Sequence, residues 1–293
     1  MKIVVPATSA NLGPGFDALG LAVSLYNEVD IKPSKYHSLS IRGEGSDKAK
    51  LKKNNLFLTI FYEIYKDLKG KKDKFRFEFT NNIPFSRGLG SSSAVIVGAI
   101  ASAYEMAGVK VSKEKVLNRA LTYESHPDNI APAVYGGFVT SVVEEGKVFI
   151  QKKELPKNLQ AVMCIPNRAM STSHSRTKLP KNFPISKVVY NLSHSAFLSA
   201  AFFGENWDML RVASKDAMHE DIRIEAMPEL KEVRDIALKS GALMSTLSGS
   251  GSSFFSLCFE KDAKRVESAL KERFKKFRIE IFDLDNLGYK IYR

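Results

Sequence analysis

Alternating apolar and polar positions predict that the first third of the chain is mostly β-strand. Phe75, Phe77 and Phe79 recur at every second position, which is the period of a strand with one buried face. Residues that favour strands also dominate the neighbouring runs. The strands predicted in this third are residues 2–6, 25–33, 38–43 and 74–80.

Helical spacing predicts three helices between and after these strands. Leu56, Ile60 and Ile64 form an apolar stripe that predicts a helix over residues 55–68. Residues 91–107 are apolar nearly all round, so the helix predicted there is buried, with Gly108 in its C-terminal cap. Ser112 is a suitable N-cap for a helix that reaches about residue 123. Strands are predicted again at residues 137–143 and 147–151.

The pattern changes after Leu155 and Pro156, where longer helical segments begin. The elements predicted in this half are a strand at 160–166, a helical stretch at 187–215, a helix at 228–240, strands at 242–247 and 253–259, a helix at 262–277, and strands at 278–284 and 289–292. Strands and helices that are segregated within each half are typical of an α+β fold with two lobes. We therefore predict two domains, residues 1–155 and 156–293.

Composition narrows the class of protein. The 293 residues are 44% hydrophobic and 26% charged, which is the balance of a globular enzyme. Cys164 and Cys258 lie in apolar runs, so we expect buried, reduced thiols and no redox pair. The chain has no signal-peptide pattern and no apolar run long enough to span a membrane, so we expect a cytoplasmic protein.

The net charge of +12 raises the question of nucleic-acid binding. The excess is concentrated in lysine-rich stretches, without stacking aromatic residues between the charges. This pattern favours solvated faces, and a general positive field also suits an anionic nucleotide. We therefore expect neither a nucleic-acid nor a membrane partner. The lysine-rich stretches are residues 48–53, 66–74 and 271–278.

A glycine-rich segment before the buried helix is the most informative local feature. Gly88 and Gly90 allow the backbone to approach a ligand closely, and three serines then open the helix. The first N–H groups of a helix have no intrahelical partner and, with the helix dipole, form a phosphate site. The alternative is a simple strand–turn–helix connection. A Walker A loop is excluded because no lysine follows the second glycine.

Three segments together resemble the GHMP kinase family. Residues 84–94 match its phosphate-loop pattern P-x-x-x-G-L-G-S-S-x-A, and residues 6–20 and 247–253 fall where the family keeps its other two motifs. The resemblance implies the two-lobed α+β GHMP kinase fold, with an N-terminal ribosomal protein S5 domain 2-like lobe and a C-terminal ferredoxin-like lobe with extra helices. It also implies that ATP is bound by Pro84, Phe85, Ser86, Arg87, Gly88, Leu89, Gly90, Ser91, Ser92, Ser93 and Ala94, with Asn55 on the adenine side.

The segment at residues 6–20 resembles the members of the family that phosphorylate homoserine, an amino acid with a free side-chain hydroxyl. That substrate carries an ammonium and a carboxylate, so its site needs groups of both signs. The resemblance implies that Asn11 and Asp17 bind the ammonium and that Arg176 and Arg223 bind the carboxylate. A turn carboxylate and surface ion pairs are the alternatives. Thr172 and Gly249 are further predicted to contact substrate.

Residues 124–129 read E-S-H-P-D-N and resemble the E-G-H-P-D-N of some homoserine-phosphorylating members, with Ser125 in place of glycine. The resemblance implies that Glu124 and Ser92 hold Mg²⁺ and that His126 and Asn129 lie beside the substrate hydroxyl. We therefore predict Glu124, His126 and Asn129 as catalytic residues. A zinc site is disfavoured because no further histidine is suitably spaced.

Asn129 stands where mevalonate kinase and galactokinase have a catalytic aspartate, and an amide cannot accept a proton. Asp128 is adjacent, but neighbouring side chains seldom point the same way. We therefore predict transfer without a strong enzyme base, in which positioning and charge neutralisation provide most of the rate.

The activity that the resemblance implies is ATP-dependent phosphorylation of homoserine in threonine biosynthesis. One alternative is a GHMP kinase that acts on shikimate or mevalonate. Another is a regulator that keeps the fold and binds nucleotide without catalysis. The first lobe also resembles folds of RNA-binding proteins, which makes nucleic-acid binding a third option. Many family members are dimers, so a homodimer is compatible with the resemblance.

Overall fold

The structure is a computed structural model that describes residues 1–170, 172–225 and 227–293, without the side chains of residues 172–174. The strands are β1 (Lys2–Ala10), β2 (Leu19–Pro33), β3 (Ser38–Gly43), β4 (Phe75–Asn81), β5 (Phe138–Glu144), β6 (Lys147–Lys153), β7 (Leu159–Ile165), β8 (Met244–Leu247), β9 (Phe254–Phe259), β10 (Arg278–Asp283) and β11 (Lys290–Tyr292). The helices are α1 (Ala49–Lys53), α2 (Leu56–Lys69), α3 (Ser91–Met106), α4 (Lys113–Ala120), α5 (Pro127–Tyr135), α6 (Thr172–Thr177), α7 (Ile185–Phe203), α8 (Leu210–Ala213), α9 (Glu220–Ile224), α10 (Glu229–Lys239) and α11 (Glu260–Arg273), with a short 3-10 helix at Trp207–Met209.

The first sheet has the strand order β11-β1-β2-β4-β3, and β5 extends it from β2 to β6. Helices α3 and α5 pack on it, and α2 packs on α3 and reaches β4 through Phe57 and Phe61. The alternation of Phe75, Phe77 and Phe79 faces these helices, where the three rings pack with Phe57 and Phe61. Truncating such a buried ring costs about 3–5 kcal/mol, so this cluster contributes strongly to the stability of the first lobe.

The second sheet is antiparallel, with the order β10-β7-β9-β8, and α10 and α11 pack on it. The chain leaves the first sheet after Lys153 and enters the second at Leu159. The last strand then returns to the first sheet, where Ile291 pairs with Ile3 of β1. The two-lobed α+β prediction is confirmed. The division at residue 155 stays a prediction, and β11 lies with the first lobe.

Sequence patterns misplaced several element boundaries. The glycine- and proline-rich segment near the N-terminus is strand as far as Ala10 and again from Leu19, so the loop covers only residues 11–18. The helix α5 was not predicted because Pro127 and Pro132 both stand in it. Proline suits the first turn of a helix, and Pro132 is packed against Gly20 of β2, where a Cβ would lie 2.9 Å from the proline ring.

The start of α4 and the two cysteines follow the predictions. The side chain of Ser112 accepts a hydrogen bond from the amide of Lys115 at the start of α4. Cys164 and Cys258 are buried and form no disulfide. Within the described ranges, none of the helices combines the length and apolar character that crossing a bilayer requires.

Candidate active site

The segment 82–90 connects β4 to α3 and forms a tight loop against the second lobe. Gly88 and Gly90 have φ angles of 73° and 66°. A Cβ on Gly88 would lie 2.0 Å from the carbonyl oxygen of Ser248, and one on Gly90 would lie 1.9 Å from Thr8 Oγ1. Both positions therefore require glycine for the backbone angle and for the close approach.

The helix that follows this loop opens toward a cavity. Gly90 is its N-cap residue, and the Ala94 amide is the first to bond back, donating to the Gly90 carbonyl at 2.9 Å. The hydroxyl-bearing residues before it line a cavity of about 160 Å³ between the lobes. Unpaired amides at a helix start, without a nearby acidic residue in the first turn, suit a polyanion.

The second glycine segment holds the first directly. Ser248 Oγ donates to the Gly88 carbonyl at 2.6 Å, and the Ser253 amide donates to the Arg87 carbonyl at 3.1 Å. The Arg87 side chain donates to the carbonyls of Phe85 and Pro166. The two loops therefore meet across the lobes, and Gly249 lines the cavity beside the phosphate loop.

An apolar cavity of about 370 Å³ adjoins the same loop and shares Ser86, Ser91 and Ser92 with the first cavity. Apolar side chains from β3, β4, α1 and α2 line it, together with Phe85. Asn55 lies at its edge, where its side chain caps α2 by accepting from the Leu58 amide. A planar apolar group attached to a polyanion at the start of α3 can therefore extend into this apolar cavity.

Glu124 lies opposite the start of α3, just before α5. The hydroxyl of Ser93 donates to Glu124 Oε2 at 2.8 Å. Burial raises the pKa of Glu124, because the ionised carboxylate loses hydration that the protein does not replace. A bound cation would stabilise the ionised form. The predicted pair was Glu124 and Ser92. Ser92 also lines the cavity, but the contact to Glu124 is made by Ser93.

Asn129 is fixed on the first turn of α5. Its Oδ1 accepts from Thr8 Oγ1 at 2.7 Å, and its Nδ2 lies 3.5 Å from Asp128 Oδ1. Asp128 and Asn129 both line the cavity, so the expectation that Asp128 points elsewhere is wrong. Burial, and then the charges of Asp17 and Glu124, raise the pKa of Asp128 to about 7.

Asp17 and Arg176 form an ion pair in the cavity, with Arg176 Nη2 2.7 Å from Asp17 Oδ1. His126 Nδ1 lies 3.6 Å from the other Asp17 oxygen. Asn11 stands behind them: its Oδ1 accepts from the Asp17 amide, and its Nδ2 donates to the Gly249 carbonyl. Asn11 and Asp17 both have φ near 60°, at 67° and 58°, which Asn and Asp tolerate better than other residues.

Arg223 faces the same cavity from α9 and is almost fully buried. Its Nη1 lies 3.0 Å from His219 Nδ1 and 3.1 Å from the Gly249 carbonyl oxygen. Both Arg223 and Arg176 stand over the ring of Phe16, at 5.2 and 5.1 Å. Burial, and then the charge of Arg176, lower the pKa of Arg223. The predicted Thr172 has its side chain outside the described residues.

Comparisons with known proteins agree with this geometry. Residues 55–137 match the GHMP kinases N terminal domain, and residues 198–276 match the GHMP kinases C terminal domain. A homoserine kinase of a Nitratiruptor species is 62% identical over 288 residues, 98% of each chain. A homoserine kinase of Campylobacter concisus is 60% identical over 291 residues, 99% of each chain.

The chain belongs to the GHMP kinase family. The crystal structure of a homoserine kinase from Cytophaga hutchinsonii superposes with a TM-score of 0.87 at 28% identity, covering 100% of this chain and 97% of that one. The resemblance in three motifs is therefore confirmed at the level of family and fold. Of the two glycine segments that meet, one lies in each matched domain.

Three residues of this GHMP kinase site, Thr8, Phe16 and His219, were missed in the sequence. Thr8 and Phe16 lie within the N-terminal motif, so their position in that motif was a usable signal. Ser93 was predicted to bind ATP, but the sequence did not distinguish it among three equivalent serines as the one that contacts Glu124. His219 carried no local signal, because the contact to Arg223 depends on the helical turn between them and on burial.

Proposed function

We propose that this chain transfers the γ-phosphoryl group of ATP to the side-chain hydroxyl of homoserine. The observation that carries the proposal is one cavity lined both by a helix start behind two glycines and by an opposite-charge pair, Asp17 and Arg176. A polyanion fits the first feature and an amino-acid zwitterion fits the second. The 60–62% identical relatives named homoserine kinase support the same substrate.

ATP is expected to bind with its phosphates at residues 88–93 and its base in the adjoining apolar cavity. The serines shared by both cavities stand at the junction. The flanking Phe57, Phe79 and Phe85 provide apolar surface for a purine. Asn55 was predicted on the adenine side. Its side-chain oxygen accepts from the Leu58 amide in the α2 cap, so we propose that it shapes this cavity.

Mg²⁺ is expected near Ser92, Ser93 and Glu124. One carboxylate and hydroxyl oxygens, together with phosphate oxygens, suit the preference of Mg²⁺ for a few hard protein ligands. The partly buried Glu124 carboxylate, whose pKa is raised, supports a cation there. When bound, the ion neutralises phosphate charge during transfer.

Homoserine is expected to bind between the charged groups. Its ammonium pairs with Asp17 and its carboxylate with Arg176 and Arg223. The substrate thereby replaces the ion pair that Asp17 and Arg176 form with each other. Mevalonate and shikimate carry a carboxylate but no ammonium, and would leave Asp17 without a cation from the substrate. This charge balance favours homoserine over the two alternatives, and the product serves threonine biosynthesis.

The transfer itself requires alignment. The homoserine oxygen bonds to the γ-phosphorus as the bond to the ADP oxygen breaks, and the hydroxyl proton passes to a γ-phosphate oxygen. The loose transition state makes early proton removal unnecessary. Asn129, held by Thr8, and His126 are proposed to orient the hydroxyl. We expect Asp128→Asn to lower kcat by less than about tenfold, and a loss of several orders of magnitude would identify Asp128 as a base.

The function is tested by coupled ADP release with homoserine, threonine, serine, shikimate and mevalonate side by side. We expect homoserine to give the highest kcat/KM by a wide margin. Equal ATP hydrolysis with and without any alcohol would contradict the proposal, as would preferential use of mevalonate or shikimate. Mass spectrometry of the homoserine product should find the phosphate on the side-chain oxygen.

We also propose that two copies associate through α7. Ile185, Val189 and Leu192 are 75%, 56% and 65% exposed and follow helical spacing along one face. An exposed apolar stripe of this kind is typical of a helix–helix interface.

A further inference from the structure

The guanidinium of Arg223 is held by a buried histidine one helical turn before it. His219 is 1% exposed. Its Nδ1 lies 3.0 Å from Arg223 Nη1, and its Nε2 lies 2.8 Å from the carbonyl oxygen of Gly13. His219 therefore joins α9 to the N-terminal loop that also carries Asp17.

The partners of the two ring nitrogens fix the tautomer. A carbonyl oxygen can only accept, so Nε2 must carry the hydrogen that is donated to Gly13. A guanidinium can only donate, so Nδ1 must be the unprotonated nitrogen. Burial lowers the pKa of His219 to about 4, although the carboxylate of Asp216, 3.7 Å from Nε2, acts in the opposite direction. A neutral ring satisfies both contacts.

These contacts restrict how Arg223 can turn. Nη1 donates to His219 and to the Gly249 carbonyl, and the Phe16 ring lies below the guanidinium. Nε is buried and has no hydrogen-bond partner among the described residues. Phe16 also contacts the His219 ring, at 5.1 Å between centroids. The guanidinium is therefore oriented from the protein side before any substrate arrives.

We propose that His219 is a positioning residue whose unprotonated Nδ1 orients Arg223 to receive the carboxylate of the amino-acid substrate. This inference rests on the proposed function. It predicts that His219 acts on homoserine binding, and on ATP binding or on the transfer step only weakly.

Two substitutions separate the nitrogens. His219→Asn keeps an acceptor near the position of Nδ1, whereas His219→Gln keeps a donor near the position of Nε2 and loses the acceptor for Arg223. We expect the Gln variant to raise the homoserine KM by about tenfold or more, because a charge-assisted hydrogen bond is lost. The Asn variant should stay much closer to the parent enzyme. Both should keep kcat and the ATP KM nearly unchanged.

A substrate without a carboxylate gives the matched control. For 3-aminopropan-1-ol, which is homoserine lacking that group, the Gln variant and the parent enzyme should have equal kcat/KM. The proposal is overturned if Gln and Asn raise the homoserine KM equally, if neither does, or if the Gln variant loses as much activity on 3-aminopropan-1-ol. If the parent enzyme fails to phosphorylate homoserine, the proposed function falls, and this inference with it.

The unmodified protein provides a second test that needs no variant. Nitrogen-15 NMR of the histidine rings at neutral pH should find His219 neutral and protonated on Nε2. A ring protonated on Nδ1 would be unable to accept from Arg223 and would overturn the proposal even if the variants proved unstable.

Discussion

Asp128 and Asn129 are neighbours in the chain, yet both reach the same cavity. They can do so because they stand on the first turn of α5, whose N-terminal end faces the cavity. The sequence predicted that only one of them would. At the residue scale, burial raises the pKa of both Glu124 and Asp128, and the charges of Asp17 and Glu124 raise the pKa of Asp128 further.

The free energy of unfolding should depend on pH because Asp128 is buried. Its pKa rises from 3.8 to about 7 on folding, so the folded state holds more protons in that interval and the free energy of unfolding falls as pH rises through it. Asp128→Asn removes this penalty. We expect the variant to be more stable than the parent at about pH 8 and to lose most of that advantage at about pH 5. Thermal melting at both pH values measures it. The same exchange at the exposed Asp235 is the control, and a pH-independent difference would contradict the prediction.

Arg176 provides a test of substrate charge. Arg176→Ala removes one of the two guanidinium groups proposed to bind the substrate carboxylate, and we expect a loss of roughly 1.5–3 kcal/mol in homoserine binding. The measurement is the homoserine KM, with the ATP KM as internal reference. Arg265→Ala, in an exposed ion pair on α11, should leave both constants unchanged. An unchanged homoserine KM in Arg176→Ala would argue against the proposed orientation of the substrate.

At the scale of elements, the site depends on how two glycine segments and one helix start are held together. The phosphate loop receives Ser248 Oγ and the Ser253 amide from the second lobe. Glu220 of α9 in turn accepts from the Leu247 amide and pairs with Arg234. The loop from the second lobe is thus anchored on both sides.

Two buried serines allow the contribution of this anchoring to be separated from stability. Ser248 Oγ donates to the Gly88 carbonyl and Ser252 Oγ donates to the Arg168 carbonyl, each at 2.6 Å. We expect both alanine variants to lose about 0.5–1.5 kcal/mol of stability, because each removes one buried hydrogen bond. Only Ser248→Ala should raise the ATP KM, since its partner lies in the phosphate loop. Denaturation and steady-state kinetics measure the two effects. Equal ATP KM values in both variants would contradict this prediction, because the phosphate loop would then keep its conformation without the Ser248 hydrogen bond.

At the scale of the whole molecule, the two lobes are joined more closely than a single linker would require. The chain passes from the first sheet to the second after β6, and β11 returns to pair with β1. The cavity lies where the lobes meet. Relative motion of the lobes would therefore change the phosphate and homoserine sites together.

The apolar face of α7 should determine the oligomeric state. We expect light scattering on a sizing column to give the mass of two chains. Leu192→Glu places a charge on the exposed stripe and should give a monomer with near-native melting, since it removes no buried contact. Leu287→Glu, at an exposed apolar position away from α7, is the control. A parent protein with the mass of one chain would contradict the proposed dimer.

Patterns in the amino-acid sequence were sufficient to predict the family, the α+β class and most elements of the fold. They were sufficient because apolar periodicity and the glycine positions are local properties, as Phe75–Phe79 and Gly88 illustrate. The prediction failed at α5, where two prolines mask a helix that tertiary packing supports.

Only the tertiary structure shows which groups are in contact in the site. Folding paired Glu124 with Ser93, brought Asp128 into the cavity and set His219 behind Arg223. Contacts in the site join residues up to 238 positions apart, as Asn11 and Gly249 are. The direction of a side chain and the degree of its burial depend on packing between elements, and these set its charge and partners.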